Sequence, residues 1–102
     1  MSRMTIPQLM AFYNGVPKRE EISVAICAIK PIRNKGHNEY DVMETGEALI
    51  NFYDRAEKRA MVRYEHRRDM ECTYSLDIAN RFKARREAIE QRMKELKRDA
   101  NH

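Results

Sequence analysis

A chain of 102 residues has room for one modest hydrophobic core, so we expect a single small domain over residues 1–102. Charged residues make up 35% of the chain, while only three glycines and three prolines punctuate it, and this balance favours helices with solvated faces. The longest apolar run, 24–29, is far shorter than the roughly 20 residues that span a bilayer, and no secretory leader follows Met1. The composition therefore predicts a soluble, cytoplasmic protein with no membrane partner.

The first predicted element is a short helix between Thr5 and Gly15. Thr5 is a good N-cap, and Pro7 is tolerated in the first turn of a helix. Gly15 suits the left-handed C′ position that closes a helix. One apolar face at helical spacing supports this prediction; it contains Ile6, Leu9, Met10 and Tyr13.

Two interpretations remain open for residues 22–43. Pro17 and the acidic pair Glu20-Glu21 are typical of a helix start, which favours a helix through Ile29. The alternative is a β-hairpin, because 22–29 is rich in β-branched residues and could pair with 39–43 across a turn at 34–38. Pro31 ends the element in either case, and residues 31–45 are predicted to be a loop.

The region from Gly46 onward is predicted to be helical, because it contains no proline and no further glycine. We expect Thr45 to be its N-cap and at least four-fifths of 46–96 to be helical. Residues 72–75 have only moderate helix propensity, and Ser75 is a candidate N-cap. The fold class is therefore mainly α, with a short N-terminal helical unit followed by either a helical hairpin, which we favour, or a single long coiled-coil-like helix at 46–98.

The last predicted helix carries an apolar stripe with a partial heptad spacing, which is typical of helices that associate. We interpret these residues as anchors for a partner protein or for a homodimer, while packing inside the predicted hairpin explains the stripe equally well. They are Ile78, Phe82, Ile89, Met93 and Leu96.

Between residues 83 and 98 there are seven basic and three acidic residues. Such a helix face can contact nucleic-acid phosphates, an acidic protein surface or only solvent. Glu90 lies four residues before Lys94, and this spacing favours a solvated ion pair. The basic face consists of Lys83, Arg85, Arg86, Arg92, Lys94, Lys97 and Arg98. A second basic cluster, over residues 55–68, is interleaved with acidic residues.

No pattern for metal binding or catalysis is recognisable in the sequence. Cys27 and Cys72 lie far apart and have no CxxC partner, so we expect reduced, partly buried thiols rather than a disulfide or a zinc ribbon. The three histidines do not share a zinc spacing, and no phosphate loop or nucleophile motif is present. We therefore predict no metal, no cofactor and no enzymatic activity.

The leading hypothesis is a regulatory or inhibitor protein that binds a larger protein partner through long amphipathic basic helices. The partner's identity does not follow from the sequence, although an enzyme that handles nucleic acid would offer suitable acidic grooves. A short, highly charged, nearly all-helical chain resembles in style the small accessory and inhibitor proteins that phages encode, but no motif transfers a role to any residue. The alternative is direct, largely non-specific nucleic-acid binding through the basic C-terminal helix.

Overall fold

The computed structural model describes residues 3–29, 39–66 and 73–100. These ranges are mainly α, as predicted, and α3 packs along α4 as a helical hairpin. The alternative of one long helix over 46–98 is therefore wrong. In chain order the elements are β1 (Arg3–Met4), α1 (Ile6–Phe12), α2 (Arg19–Ile29), β2 (Tyr40–Asp41), α3 (Val42–His66) and α4 (Thr73–Ala100).

Helix α1 begins after Thr5, as predicted, and its C-terminus shows a small correction. The N–H of Thr5 donates a hydrogen bond of 2.9 Å to Oε1 of Gln8, which is half of a capping box. At the other end, Asn14 has a φ of 59° and Gly15 a φ of 72°. The N–H of Gly15 donates to the carbonyl of Met10 at 2.8 Å, so Asn14 takes the left-handed C′ position and Gly15 the C″ position that follows it.

Residues 22–29 are helical, so the interpretation of 22–43 as a β-hairpin, with 22–29 as its first strand, is wrong. Ile22, Ala25 and Ile26 are at most 1% exposed, because their spacing puts them on the helix face that packs into the core. Strand β2 instead pairs antiparallel with β1, with Arg3 opposite Asp41. Pro31 and the predicted turn at 34–38 lie outside the described residues.

Helix α3 begins earlier than predicted, at Val42, so the predicted loop 31–45 extends too far. Its N-cap is Asp41, whose Oδ2 accepts a hydrogen bond of 2.9 Å from the N–H of Glu44. Thr45 lies inside the helix, and its buried hydroxyl donates to the carbonyl of Asp41 at 2.7 Å. Ser75 likewise lies inside α4, which begins at Thr73. Every described residue of 46–96 is helical.

The end of α1, α3 and α4 pack closely around Gly46. Tyr13 is 1% exposed, and its hydroxyl donates a hydrogen bond of 2.7 Å to the carbonyl of Val42. A Cβ atom added at Gly46 would lie 2.5 Å from the Tyr13 hydroxyl oxygen and 2.7 Å from the Met93 sulfur. Glycine at this position therefore lets α3 approach both side chains.

The two buried tyrosines are harder to ionise than tyrosine in water. Burial, together with the nearby charge of Asp41, raises the pKa of Tyr13 to about 12, although Arg92 acts in the opposite direction. Burial also raises the pKa of Tyr53, with a further contribution from Glu21. Both phenols are therefore protonated near neutral pH, as their hydrogen-bond donation requires.

We predict that Gly46→Ala lowers the free energy of unfolding by about 1–3 kcal/mol, since the added methyl group overpacks the core. The intrinsic preference of helices for alanine, about 1 kcal/mol, acts in the opposite direction. Urea denaturation followed by circular dichroism measures the difference. In a Tyr13→Phe background the hydroxyl is absent, so Gly46→Ala should lower the free energy of unfolding by less. Equal losses in both backgrounds would rule out the contact between residue 46 and the Tyr13 hydroxyl.

We also predict that the protein loses stability between about pH 10 and pH 12. The pKa of Tyr13 is raised from 10.0 in the folded state, so the unfolded chain ionises first and unfolding is favoured as pH rises through this window. The contribution of the protonated Tyr13 side chain to stability is fully present below pH 10. Between pH 10 and pH 12, the free energy of unfolding of Tyr13→Phe should fall by about 2–3 kcal/mol less than that of the wild type. Urea denaturation at each pH measures both, and the titration of lysines contributes equally to the two proteins. An unchanged alkaline slope would contradict the prediction.

Candidate interaction surface

Helix α4 contains eight basic residues; Arg81 is exposed, and the seven between 83 and 98 fall into two groups. Arg85, Arg86 and Arg92 are only partly exposed, and each contacts a different helix of the same chain. The other four are exposed, and they form no ion pair within the described residues; they are Lys83, Lys94, Lys97 and Arg98. The basic face predicted from the sequence is therefore divided between internal and external roles.

Arg85 connects α4 to α2 through Glu21. Its Nη1 lies 2.8 Å from Oε2 of Glu21, whose side chain is 13% exposed. The other oxygen, Oε1, accepts hydrogen bonds from the Tyr53 hydroxyl at 3.1 Å and from the Lys18 N–H at 2.9 Å. One carboxylate thus joins α2, α3 and α4, and it also closes the first turn of α2.

Arg86 connects α4 to α3 through two carboxylates. Its Nη1 donates to Oδ1 of Asp54 at 3.0 Å and also to Glu57. Its Nε lies 3.6 Å from Oε1 of Glu90, so Glu90 pairs with this arginine rather than with the lysine four residues later. A hydrogen bond from Lys58, together with the charges of Lys58 and Arg86, holds the pKa of Asp54 below its usual range.

Arg92 connects α4 to the end of α1. Its Nε donates a hydrogen bond of 3.0 Å to the carbonyl of Phe12, the last residue of α1. The guanidinium carbon lies 4.3 Å from the centre of the Phe12 ring, a cation–π contact. A cation at this place also complements the negative end of the helix dipole. Nη1 pairs with Glu95 at 3.0 Å.

The apolar residues predicted as anchors lie along the inner side of the hairpin. Ile89 is 0% exposed and Met93 is 5% exposed, so both belong to the core. Phe82 and Leu96 are partly buried and pack against that core, while Ile78 is half-buried. These positions account for the stripe by packing within the chain, and a role as anchors for a partner stays a prediction.

An open cleft between α2 and α3 offers a different apolar surface. Its volume is about 290 Å³. Most of its lining consists of apolar side chains, namely Val24, Ala25, Ala28, Ala48, Phe52 and Ala56. Its polar lining is Asn51, Arg55 and Arg59. Sequence reasoning missed this cleft, because its two sides come from separate helices whose packing no local pattern reveals.

Helix α3 segregates its charges around the cleft. Arg55, Arg59 and Arg63 follow one another at four-residue steps, which places them along one side of the helix. All three are exposed, and none forms an ion pair within the described residues. The acidic Asp54 and Glu57 of the same helix pair instead with Arg86 of α4.

Two large apolar side chains are exposed beside these arginines. Val24 lines the cleft and is 54% exposed, and Val62 is 51% exposed and lies three residues after Arg59. We call the combined region the α2–α3 surface; it comprises Val24, Ala28, Phe52, Arg55, Ala56, Arg59, Val62 and Arg63. An apolar centre beside arginine side chains is the usual composition of a protein-binding surface.

Other kinds of site are not found in the parts of the chain that the structure describes. Within them, no cluster of three or more His, Cys, Asp or Glu side chains is placed to bind a metal. No helix among them is long and apolar enough to cross a membrane. Cys27 is exposed, so the predicted partial burial of its thiol is wrong, whereas His37 and Cys72 lie outside the described ranges. Neither a protein family model, nor a curated protein, nor a solved structure matches this chain.

We predict that Arg85→Gln lowers the free energy of unfolding by about 1–3 kcal/mol, because it leaves the partly buried carboxylate of Glu21 without its cation. Lys83→Gln is the matched control, because Lys83 is exposed and its substitution removes the same charge from the same helix. It should change stability little. Glutamine is close to arginine in helix propensity, so α4 itself is not weakened. Equal effects of the two substitutions in chemical denaturation would contradict the structural role of Arg85.

Proposed function

We propose that this chain is a non-enzymatic interaction protein that binds a larger protein through its α2–α3 surface. The observation that carries the proposal is the row of exposed arginines on α3 beside the exposed Val24 and Val62. Charged residues around an apolar centre steer association and fix orientation, while the apolar centre supplies affinity. By occupying a surface of its partner, the chain acts as a regulator or inhibitor.

The lining of the cleft supports a binding role rather than catalysis. Its side chains are aliphatic, aromatic, amide or guanidinium groups, none of which is an ordinary nucleophile or general base near neutral pH. Within the described residues, every buried side-chain nitrogen and oxygen has a hydrogen-bond partner. Unsatisfied buried polar side chains, of the kind that often mark active sites, are therefore not found among the described residues beside the cleft.

Direct nucleic-acid binding through α4 is the second candidate function, and the exposed group of four basic residues favours it. These residues are Lys83, Lys94, Lys97 and Arg98. The engagement of the three arginines within the chain makes this candidate weaker, because fewer cations remain to release counterions from phosphates. We expect duplex binding near the non-specific range of about 10⁻⁴–10⁻⁶ M at physiological salt.

Charge reversal on each surface separates the two candidates. We predict that Arg55→Glu with Arg59→Glu reduces nuclease-resistant capture of protein partners from lysate at least about tenfold, since two steering and pairing cations become repulsive. Lys94→Glu with Lys97→Glu changes the net charge equally and should leave that capture unchanged. Circular dichroism serves as the control that both variants are folded.

The same variants measure nucleic-acid binding when they are titrated with a labelled random duplex at two salt concentrations. If capture disappears after nuclease treatment, and tight duplex binding depends on Lys94 and Lys97, then nucleic acid is the direct partner and the proposed function is wrong.

A further inference from the structure

We infer that the segment bound at the α2–α3 surface is an acidic amphipathic helix of the partner protein, with apolar side chains that enter the cleft. This inference rests on the proposed function and adds the chemistry of the bound segment. It follows from three properties of the surface: the size and lining of the cleft, its position between two helices, and the spacing of the arginines.

The cleft suits side chains of a protein better than a small molecule. Its volume of about 290 Å³ is at the lower end of the roughly 300–1,000 Å³ of small-molecule sites, and such sites enclose most of their ligand. Here the walls are exposed, since Val24 is 54% exposed and Ala28 is also exposed. An open apolar cleft of this size accommodates one or two apolar side chains from a larger molecule.

The position of the cleft favours a helical occupant. Two helices form its walls, and a third helix can place its ridge of side chains in the groove between them. The small side chains of Ala28 and Ala56 allow the backbone of such a helix to approach closely. An extended peptide would instead gain most by adding to a sheet edge, and none of the residues of β1 or β2 lines the cleft.

The arginines determine the charge of the occupant. With a rise of 1.5 Å per residue, Arg55, Arg59 and Arg63 follow one another at intervals of about 6 Å. A helix that lies along α3 presents Asp or Glu side chains at the same interval when they are four residues apart, and guanidinium groups pair well with carboxylates. A nucleic-acid backbone also offers negative charge, but its phosphates provide no apolar contact for Val24 and Val62.

The test is selection of a displayed library of random 16-residue peptides on the full-length protein, followed by affinity measurement with labelled synthetic peptides. We expect the enriched peptides to carry at least two Asp or Glu residues and large apolar residues three or four positions apart. Ala28→Trp fills the cleft from an exposed position and should weaken their binding at least tenfold. Ala84→Trp, at an exposed position of α4, is the matched control and should change binding less than twofold.

The charge requirement is tested with the same peptides. Arg55→Glu with Arg59→Glu should weaken binding at least tenfold, whereas Lys94→Glu with Lys97→Glu should not. Circular dichroism and denaturation show whether each variant retains the fold; if Ala28→Trp is unfolded, Val24→Gln replaces it and should likewise weaken binding.

Several results would overturn the inference. They are the enrichment of no peptide, enrichment of basic or purely polar peptides, and equal binding to the Ala28→Trp and Ala84→Trp variants. Sedimentation in which the wild type is a dimer and Ala28→Trp a monomer would instead assign the cleft to a second copy of this chain. If nuclease-resistant capture depends on Arg55 and Arg59 but not on Ala28, the proposed function stands and only the helical occupant is wrong.

Discussion

The carboxylate of Glu21 is the contact on which the arrangement of the helices depends. It lies between α2, α3 and α4, and its side chain is 13% exposed, so its loss of hydration must be offset by the groups around it. Three donors do this: the Lys18 N–H, the Tyr53 hydroxyl and the Arg85 guanidinium. Because a partly satisfied network of this kind is costly, the three helices hold one relative position. That position also creates the cleft between α2 and α3.

The charge of α4 gives a misleading picture of its function when it is counted along the sequence. Arg85, Arg86 and Arg92 contact groups that are 64, 32 and 80 residues away in the chain. Local patterns such as the i,i+4 rule cannot detect partners at those separations, since they compare only neighbours on the same helix. Three of the eight basic residues of α4 therefore attach this helix to the other three, and the exposed ones are available to another molecule.

Sequence reasoning succeeded where one local property dominates and failed where packing decides. The helical period and the lack of glycine and proline after Gly46 were sufficient to predict the long helical region, and the moderate helix propensity of residues 72–75 favoured the hairpin over one long helix. The capping side chain of Thr5 and Pro7 predicted where α1 starts. The predicted N-cap of α3 was wrong, because Asp41 and Thr45 both have capping side chains and only the hydrogen bonds in the structure show that the helix begins after Asp41. Gly46 was predicted to be the first residue of the helix, whereas it lies inside α3 and packs closely against Tyr13. The cleft could not be predicted, since it exists only when α2 lies on α3.

The choice between lysine and arginine indicates which charges serve a partner. In α4 the basic residues that contact the rest of the chain are all arginines, as expected for a planar group that can serve several acceptors at once. The exposed basic residues of α4 are three lysines and two arginines, Arg81 and Arg98, and lysine is sufficient where the charge only has to remain hydrated. On α3, the exposed basic residues without an acidic partner among the described residues are all arginines, namely Arg55, Arg59 and Arg63. Since arginine is enriched and lysine depleted in protein interfaces, the row of three arginines beside the cleft supports the proposal that α3, rather than the more basic α4, contacts another protein.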